Sequence, residues 1–145
     1  MGLVVQESVR APEKPEKKVT IGLLDDSALD LAWVRRLLSR LPGWEFEILE
    51  FVDPEQAIET LTKQTVDLIL TDYHMGQWNG FDVLERLRGE GQDAPAVLLT
   101  GADLDTLPPP SLAANVSHFL AKDGLSAAQL TTCFESLLGP DGPLV

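Results

Sequence analysis

Four short apolar runs in this chain each break off at a polar residue fit for chemistry. Val19–Leu24 (VTIGLL) runs into Asp25 and Asp26, Val66–Thr71 (VDLILT) into Asp72, Ala96–Leu99 (AVLL) into Thr100, and His118–Ala121 (HFLA) into Lys122. Runs of this length, rich in Val, Ile and Leu and bounded by turn formers, have the pattern of strands buried on both faces. Such strands belong to open parallel sheets, whose members point one way and whose ligands bind outside the carboxyl ends. The pattern therefore gathers three carboxylates, a hydroxyl and an ammonium on one rim. Carboxylates held together repel, and a divalent cation coordinated by oxygen resolves the repulsion.

Between the runs the periodicity becomes helical. Ser27 is placed to cap a helix to Leu41, with Leu29, Trp33, Val34, Leu37, Leu38 and Leu41 on one stripe, stopped by Pro42-Gly43. Glu45–Val52 alternates as a further strand. Asp53-Pro54 then opens a helix carrying Ala57, Ile58 and Leu61, with Gln56 expected to close a capping box. A loop from Asp72 to Gly80 precedes a helix with Phe81, Val83, Leu84 and Leu87. Ser126 caps a last helix to Leu138, with Leu130, Phe134, Leu137 and Leu138 inward. The helix due between Thr100 and His118 meets Pro108–Pro110, which fixes an extended backbone, so at most a short helix fits around Ser111–Asn115. Five strand–helix units with right-handed crossovers imply an α/β sandwich of three layers.

The 145 residues suit one domain, and a 44% apolar content suits an ordinary core. The body spans residues 19–138. Residues 1–18, with the charged, proline-bearing RAPEKPEKK, read as a disordered tail, and residues 139–145 as a tail or the start of a linker. A net charge of −12 argues against nucleic acid and anionic membranes as partners. Cys133, the only cysteine, rules out an intrachain disulfide, fits a reducing cytoplasm and reads as a core residue. No run approaches the ~18 apolar residues of a membrane span, and the N-terminus lacks a secretory pattern. Trp33 and Trp44 read as packing residues, and Trp78 lies near the rim.

From Val19 to Leu138 the chain resembles the receiver domain of two-component response regulators. The motifs that carry the likeness are Leu23-Leu24-Asp25-Asp26-Ser27, Leu70-Thr71-Asp72-Tyr73-His74-Met75 with Gly80 eight residues after the Asp, Leu98-Leu99-Thr100-Gly101, and Phe119-Leu120-Ala121-Lys122. The resemblance implies a doubly wound, flavodoxin-like sheet of five parallel strands in the order 2-1-3-4-5. Helices would cover both faces, the fourth being short or irregular. It implies Asp72 as phosphoacceptor and a Mg²⁺ site made of Asp25, Asp26, Asp72 and the backbone carbonyl of His74. Thr100 would bond the phosphoryl group, Lys122 would be its cationic partner, and Phe119 would be the aromatic that turns inward as Thr100 moves. The donor would be a histidine kinase or a histidine phosphotransfer protein, and the output a change in affinity for a downstream protein. The expected product is a bacterial, cytoplasmic phosphoprotein switch rather than a turnover enzyme, monomeric or dimerising on phosphorylation.

The sequence departs from the family pattern at three places. Gly76 stands where receivers often carry Pro, which implies a more mobile loop. Asp123 follows Lys122 where Pro is common, so a trans bond is expected. Asn115 stands where Gly is common and tolerates the left-handed conformation better than most residues. His74 and Ala102 flank the path of a water that would attack the phosphoryl group. A phosphorylation-independent scaffold with the same fold is the alternative. A dehalogenase-type phosphatase would need a second carboxylate at His74.

Overall fold

The computed structural model describes residues 17–101, 104–107, 109 and 113–139. Residues 1–16 and 140–145 of the tails expected over 1–18 and 139–145, and the readings placed on Ala102, Pro108, Pro110, Ser111 and Leu112, lie outside the described residues, whereas Lys17 and Lys18, read as tail, pair with Trp44 and Glu45 at the start of the first strand. Strands β1 (Lys17–Leu24), β2 (Trp44–Phe51), β3 (Leu68–Asp72), β6 (Ala96–Thr100) and β7 (His118–Ala121) form one parallel sheet in the order β2-β1-β3-β6-β7. This is the expected 2-1-3-4-5 order. A separate antiparallel pair, β4 (His74–Met75) and β5 (Trp78–Asn79), interrupts the count between β3 and the next helix.

Helices α1 (Ala28–Leu38) and α4 (Ala127–Leu138) cover one face of the sheet, and α2 (Pro54–Lys63) and α3 (Gly80–Gly89) the other. The period-two alternation of the strands sorts their side chains between two cores. Ile21, Leu23, Leu68, Leu70, Val97 and Leu99 face Leu31, Val34, Leu130 and Phe134. Leu24, Ile69, Ala96 and Leu98 face Ala57, Leu61, Phe81, Leu84 and Leu87. Both layers are fully buried in the middle strands, as the continuous apolar runs require.

Among the described residues, all four helix starts have capping residues. Ser27 accepts the Asp30 amide at 3.2 Å. Ser126 and Gln129 form a capping box on α4. Asn79 and Asp82 form a second box on α3, which the sequence reading did not anticipate. On α2 the Asp53 carboxylate accepts from the Glu55 amide at 3.2 Å, one residue short of the expected Gln56 arrangement.

Two expectations about α1 need correction. The helix stops at Leu38 rather than Leu41, although Leu41 remains in the core. Leu29 is 83% exposed, and Leu31 takes the inward place. Residues two apart point to opposite sides of a helix, so the stripe through Leu31, Val34 and Leu38 turns Leu29 outward.

The link from β6 to β7 is irregular, as the proline run implies. Its described part holds one 3₁₀ turn, Leu104–Thr106, and a turn at Ala113–Ala114 before Asn115, which adopts φ 53°. Arg88 of α3 ties the end of this segment to the link between α3 and β6. Its guanidinium donates to the carbonyls of Gln92 (2.9 Å), Ala94 (2.7 Å), Ala114 (3.0 Å) and Asn115 (3.0 Å). The Lys122–Asp123 bond is trans, as expected from the missing proline.

Candidate functional site

The strand order fixes where a site can form. From β1 the chain passes to β2 on one side of it, whereas β3 lies on the other side, so a crevice opens between the carboxyl ends of β1 and β3. Asp25 and Asp26 leave the end of β1, and Asp72 is the last residue of β3. Carboxylate oxygens of these three residues lie within 4.8 Å of one another. Asp25 and Asp72 are 3% and 6% exposed, while Asp26 is open to solvent.

Lys122, just past β7, closes the rim. Its Nζ donates to Asp25 Oδ2 at 2.6 Å and to Asp30 Oδ2 at 2.8 Å, and lies 3.2 Å from Asp72 Oδ1. The Lys122 amide also donates to the Thr100 carbonyl at 2.8 Å, tying the ends of β6 and β7 together. Burial raises the proton affinity of the Asp25 carboxyl, partly offset by its hydrogen bond from Lys122. Asp72 is raised too, first by burial and then by the charge of Asp25, against the pull of Lys122. For Lys122, burial alone would weaken its hold on the proton. The hydrogen bonds to Asp25 and Asp30 and the charges of Asp25 and Asp72 outweigh it, so the ammonium is held above its ordinary range.

The loop after Asp72 is shaped by two glycines. Gly76, at φ 66°, makes the tight turn of the β4–β5 hairpin and donates its amide to Asp26 Oδ2 at 3.2 Å. Proline could supply neither this φ nor this donor, which gives a physical reason for glycine here. Gly80 approaches so closely that a Cβ on it would lie 2.9 Å from the Asp72 carbonyl oxygen and 2.5 Å from Leu98 Cδ1. Its amide donates to the Tyr73 carbonyl at 2.6 Å.

The remaining residues singled out in the sequence fall around this rim. Thr100 is buried at the end of β6, where β6 lies beside β3 with Asp72 paired to Leu99. His74 is exposed at the start of β4, its ring edge-on to Tyr73. Phe119 is half-buried in β7 and meets Phe81 edge to face at 6.2 Å. Trp78 is half-buried and lines a hollow between α2 and α3 with Ile58 and Arg86. Trp44 and Phe46 stack beside Phe134, as packing residues do. Burial pushes the Cys133 thiol up to about 11, in keeping with a core residue.

Sequence reasoning missed two contacts. Asp30 was not singled out, yet it grips Lys122. Its position, one turn past the Asp25-Asp26 pair on a helix leaving the rim, was the available signal. The Gly76–Asp26 bond had only the missing proline to announce it.

The receiver-domain model for response regulators matches residues 21–134, and the chain belongs to that family. Among curated proteins, the nitrate/nitrite response regulator protein NarP of Escherichia coli is 33% identical over 101 residues, 70% of this chain and 46% of NarP. Protein RcaC of Microchaete diplosiphon is 35% identical over 82 residues, 57% of this chain and 12% of RcaC. The chain thus spans less than half the length of these relatives. It covers 82% of the two-component response regulator ORR3 of Oryza sativa, at 29% identity over 111 residues. Among solved structures, the receiver domain of the sensor histidine kinase PA1611 of Pseudomonas aeruginosa, with magnesium coordinated in its active site cleft, aligns at TM-score 0.71. The identity is 21%, covering 82% of this chain and 96% of that one. A receiver domain from Methylobacillus flagellatus aligns at TM-score 0.70 with 16% identity, covering 83% and 99%. At these identities the likeness establishes the fold. Among the described residues no helix is long and apolar enough to cross a membrane.

Proposed function

We propose that this domain is a phosphorylation-controlled switch in which Asp72 accepts a phosphoryl group. The observation that carries the reading is the convergence of Asp25, Asp26 and Asp72 within 4.8 Å at the switch point, with the Lys122 ammonium against two of them. The carboxylate set offers hard oxygen donors without sulfur or imidazole, which fits Mg²⁺, and the His74 carbonyl would complete the protein's share. When bound, Mg²⁺ removes the repulsion between the carboxylates and an anionic donor.

An oxygen of Asp72 forms the new bond to phosphorus. The bond from phosphorus to the donor's nitrogen or oxygen breaks, and the donor keeps that electron pair. Lys122 would neutralise one phosphoryl oxygen as a point charge. Thr100 would bond another through its hydroxyl. Thr100 would gain its phosphoryl contact, and Lys122 would exchange its approach to the Asp72 carboxylate for a phosphoryl oxygen, so the two would bias the β6–β7 region toward a second arrangement. Phe119 would follow Thr100, and the altered surface would change affinity for a downstream protein. The donor would be a histidine kinase or histidine phosphotransfer protein, with residues 19–138 as the functional unit. His74, exposed two residues after Asp72, would help set how long the mark lasts.

Intact mass after incubation with acetyl phosphate tests the reading. One added phosphoryl group in the presence of Mg²⁺, and none without it, is expected. No adduct under either condition would favour a phosphorylation-independent scaffold.

A further inference from the structure

Asp30 belongs to none of the motifs that define the family resemblance, yet it makes one of the closest contacts in the site. Its Oδ2 accepts from Lys122 Nζ at 2.8 Å, beside the 2.6 Å bond to Asp25 and the longer 3.2 Å approach to Asp72. An ammonium has three N–H donors and no acceptor. Three carboxylates from three elements therefore match its whole donor set, with two short legs and one long. Asp25 is heavily shared: its Oδ1 takes the Ser27 amide at 2.9 Å, and it belongs to the three-carboxylate group. Asp30 lies outside that group, so its hold on Lys122 is independent of a cation there. Lysine is a flexible four-carbon stem, and one anchor would leave its head free to swing.

We infer that Asp30 is a positioning residue for Lys122: with Asp25 it fixes two of the ammonium's protons and leaves the third directed at the oxygens on Asp72. Loading of Asp72 then exchanges only the longest leg, from carboxylate to phosphoryl oxygen. This rests on Asp72 being the phosphoacceptor.

The test measures binding of beryllofluoride, a phosphoryl analogue, with Mg²⁺ to the wild-type chain and to Asp30→Asn and Asp30→Ala. Both substitutions remove the same charge, but only Asn keeps an acceptor oxygen for Lys122. We expect Asp30→Ala to bind about tenfold more weakly than Asp30→Asn, the loss of one hydrogen bond to a charged group. Mg²⁺ alone should bind the two variants equally. Equal beryllofluoride affinities would overturn the role of Asp30, since neutralising a rim carboxylate by itself would help both variants alike. Should Asp30→Ala fail to fold, Asp30→Ser, too short to reach the ammonium, takes its place with the same expectation. A wild-type chain that binds no beryllofluoride with Mg²⁺ overturns the phosphoacceptor reading and the role of Asp30 with it, and is told apart because the failure appears before any substitution.

Discussion

Replacing Gly80 by alanine should destabilise the domain, although it begins a helix at a position where alanine is normally the better residue. The added Cβ would stand 2.5 Å from Leu98 Cδ1 and 2.9 Å from the Asp72 carbonyl oxygen. Carbon atoms rest at about 3.5–4.0 Å, so Leu98 would have to retreat by about 1 Å. Leu98 is fully buried in the α2–α3 core, so its retreat must displace packed neighbours. The carbonyl is backbone of β3, pinned between β1 and β6, and moving it moves Asp72. Overpacking of this kind costs about 1–3 kcal/mol. Reduced freedom of the unfolded chain returns about 0.4–1 kcal/mol. The net expectation is a loss of about 1–2 kcal/mol, read as a lower urea midpoint at unchanged slope. Gly89, at the other end of the same helix, is the control, because a Cβ there meets nothing within 4 Å. Gly89→Ala should raise stability by about 0.4–1 kcal/mol. If both substitutions shift the midpoint upward, the close approach of α3 to the end of β3 is not a real constraint and the explanation for Gly80 is wrong.

Three further outcomes follow from the charges. Asp25 and Asp72 hold protons more tightly folded than unfolded, so the folded state binds more protons above their ordinary value of 3.8. Stability of the metal-free chain should therefore fall as pH rises from about 4 toward neutrality, and Asp72→Asn should flatten that slope in urea titrations at stepped pH. Lys122→Met leaves those two buried carboxylates without their cation. It should cost about 3 kcal/mol at neutral pH, with the deficit shrinking on acidification, and a deficit independent of pH would contradict the assigned pairing. Arg88→Ala strips the donor from four carbonyls and should cost about 2–3 kcal/mol, which Arg88→Lys should fail to restore because a point charge cannot reproduce the planar fork.

The elements most legible in the sequence were those whose residues carry a local signal. The buried strands wrote themselves as apolar runs, and Ser27 and Ser126 marked two helix starts. The site was legible because a parallel sheet brings all strand ends to one rim, so Asp25, Asp26, Asp72 and Lys122 could be grouped without knowing their distances. What escaped was decided by tertiary contact. Leu29 is apolar but sits two residues from Leu31, and only packing against the sheet chooses between them. Asp30 reads as an ordinary first-turn acid, and its pairing spans a sequence separation of 92 residues. The hairpin at Gly76 depends on a bond to Asp26, 50 residues earlier, which no local pattern announces. Nothing local marks Arg88, whose partners are the carbonyls of Gln92 and Ala94 just before β6 and of Ala114 and Asn115 just before β7, the last two 26 and 27 residues away.

The central claim is that Asp72 carries the phosphoryl group. Treating the wild-type chain with acetyl phosphate and Mg²⁺, reducing it with borohydride and sequencing the peptides by mass spectrometry reads this directly, because borohydride converts an aspartyl phosphate to homoserine. The account expects homoserine at position 72, only in the sample that held both reagents. Modification at another residue, or an unchanged Asp72 in a chain that has gained a phosphoryl group, would contradict it.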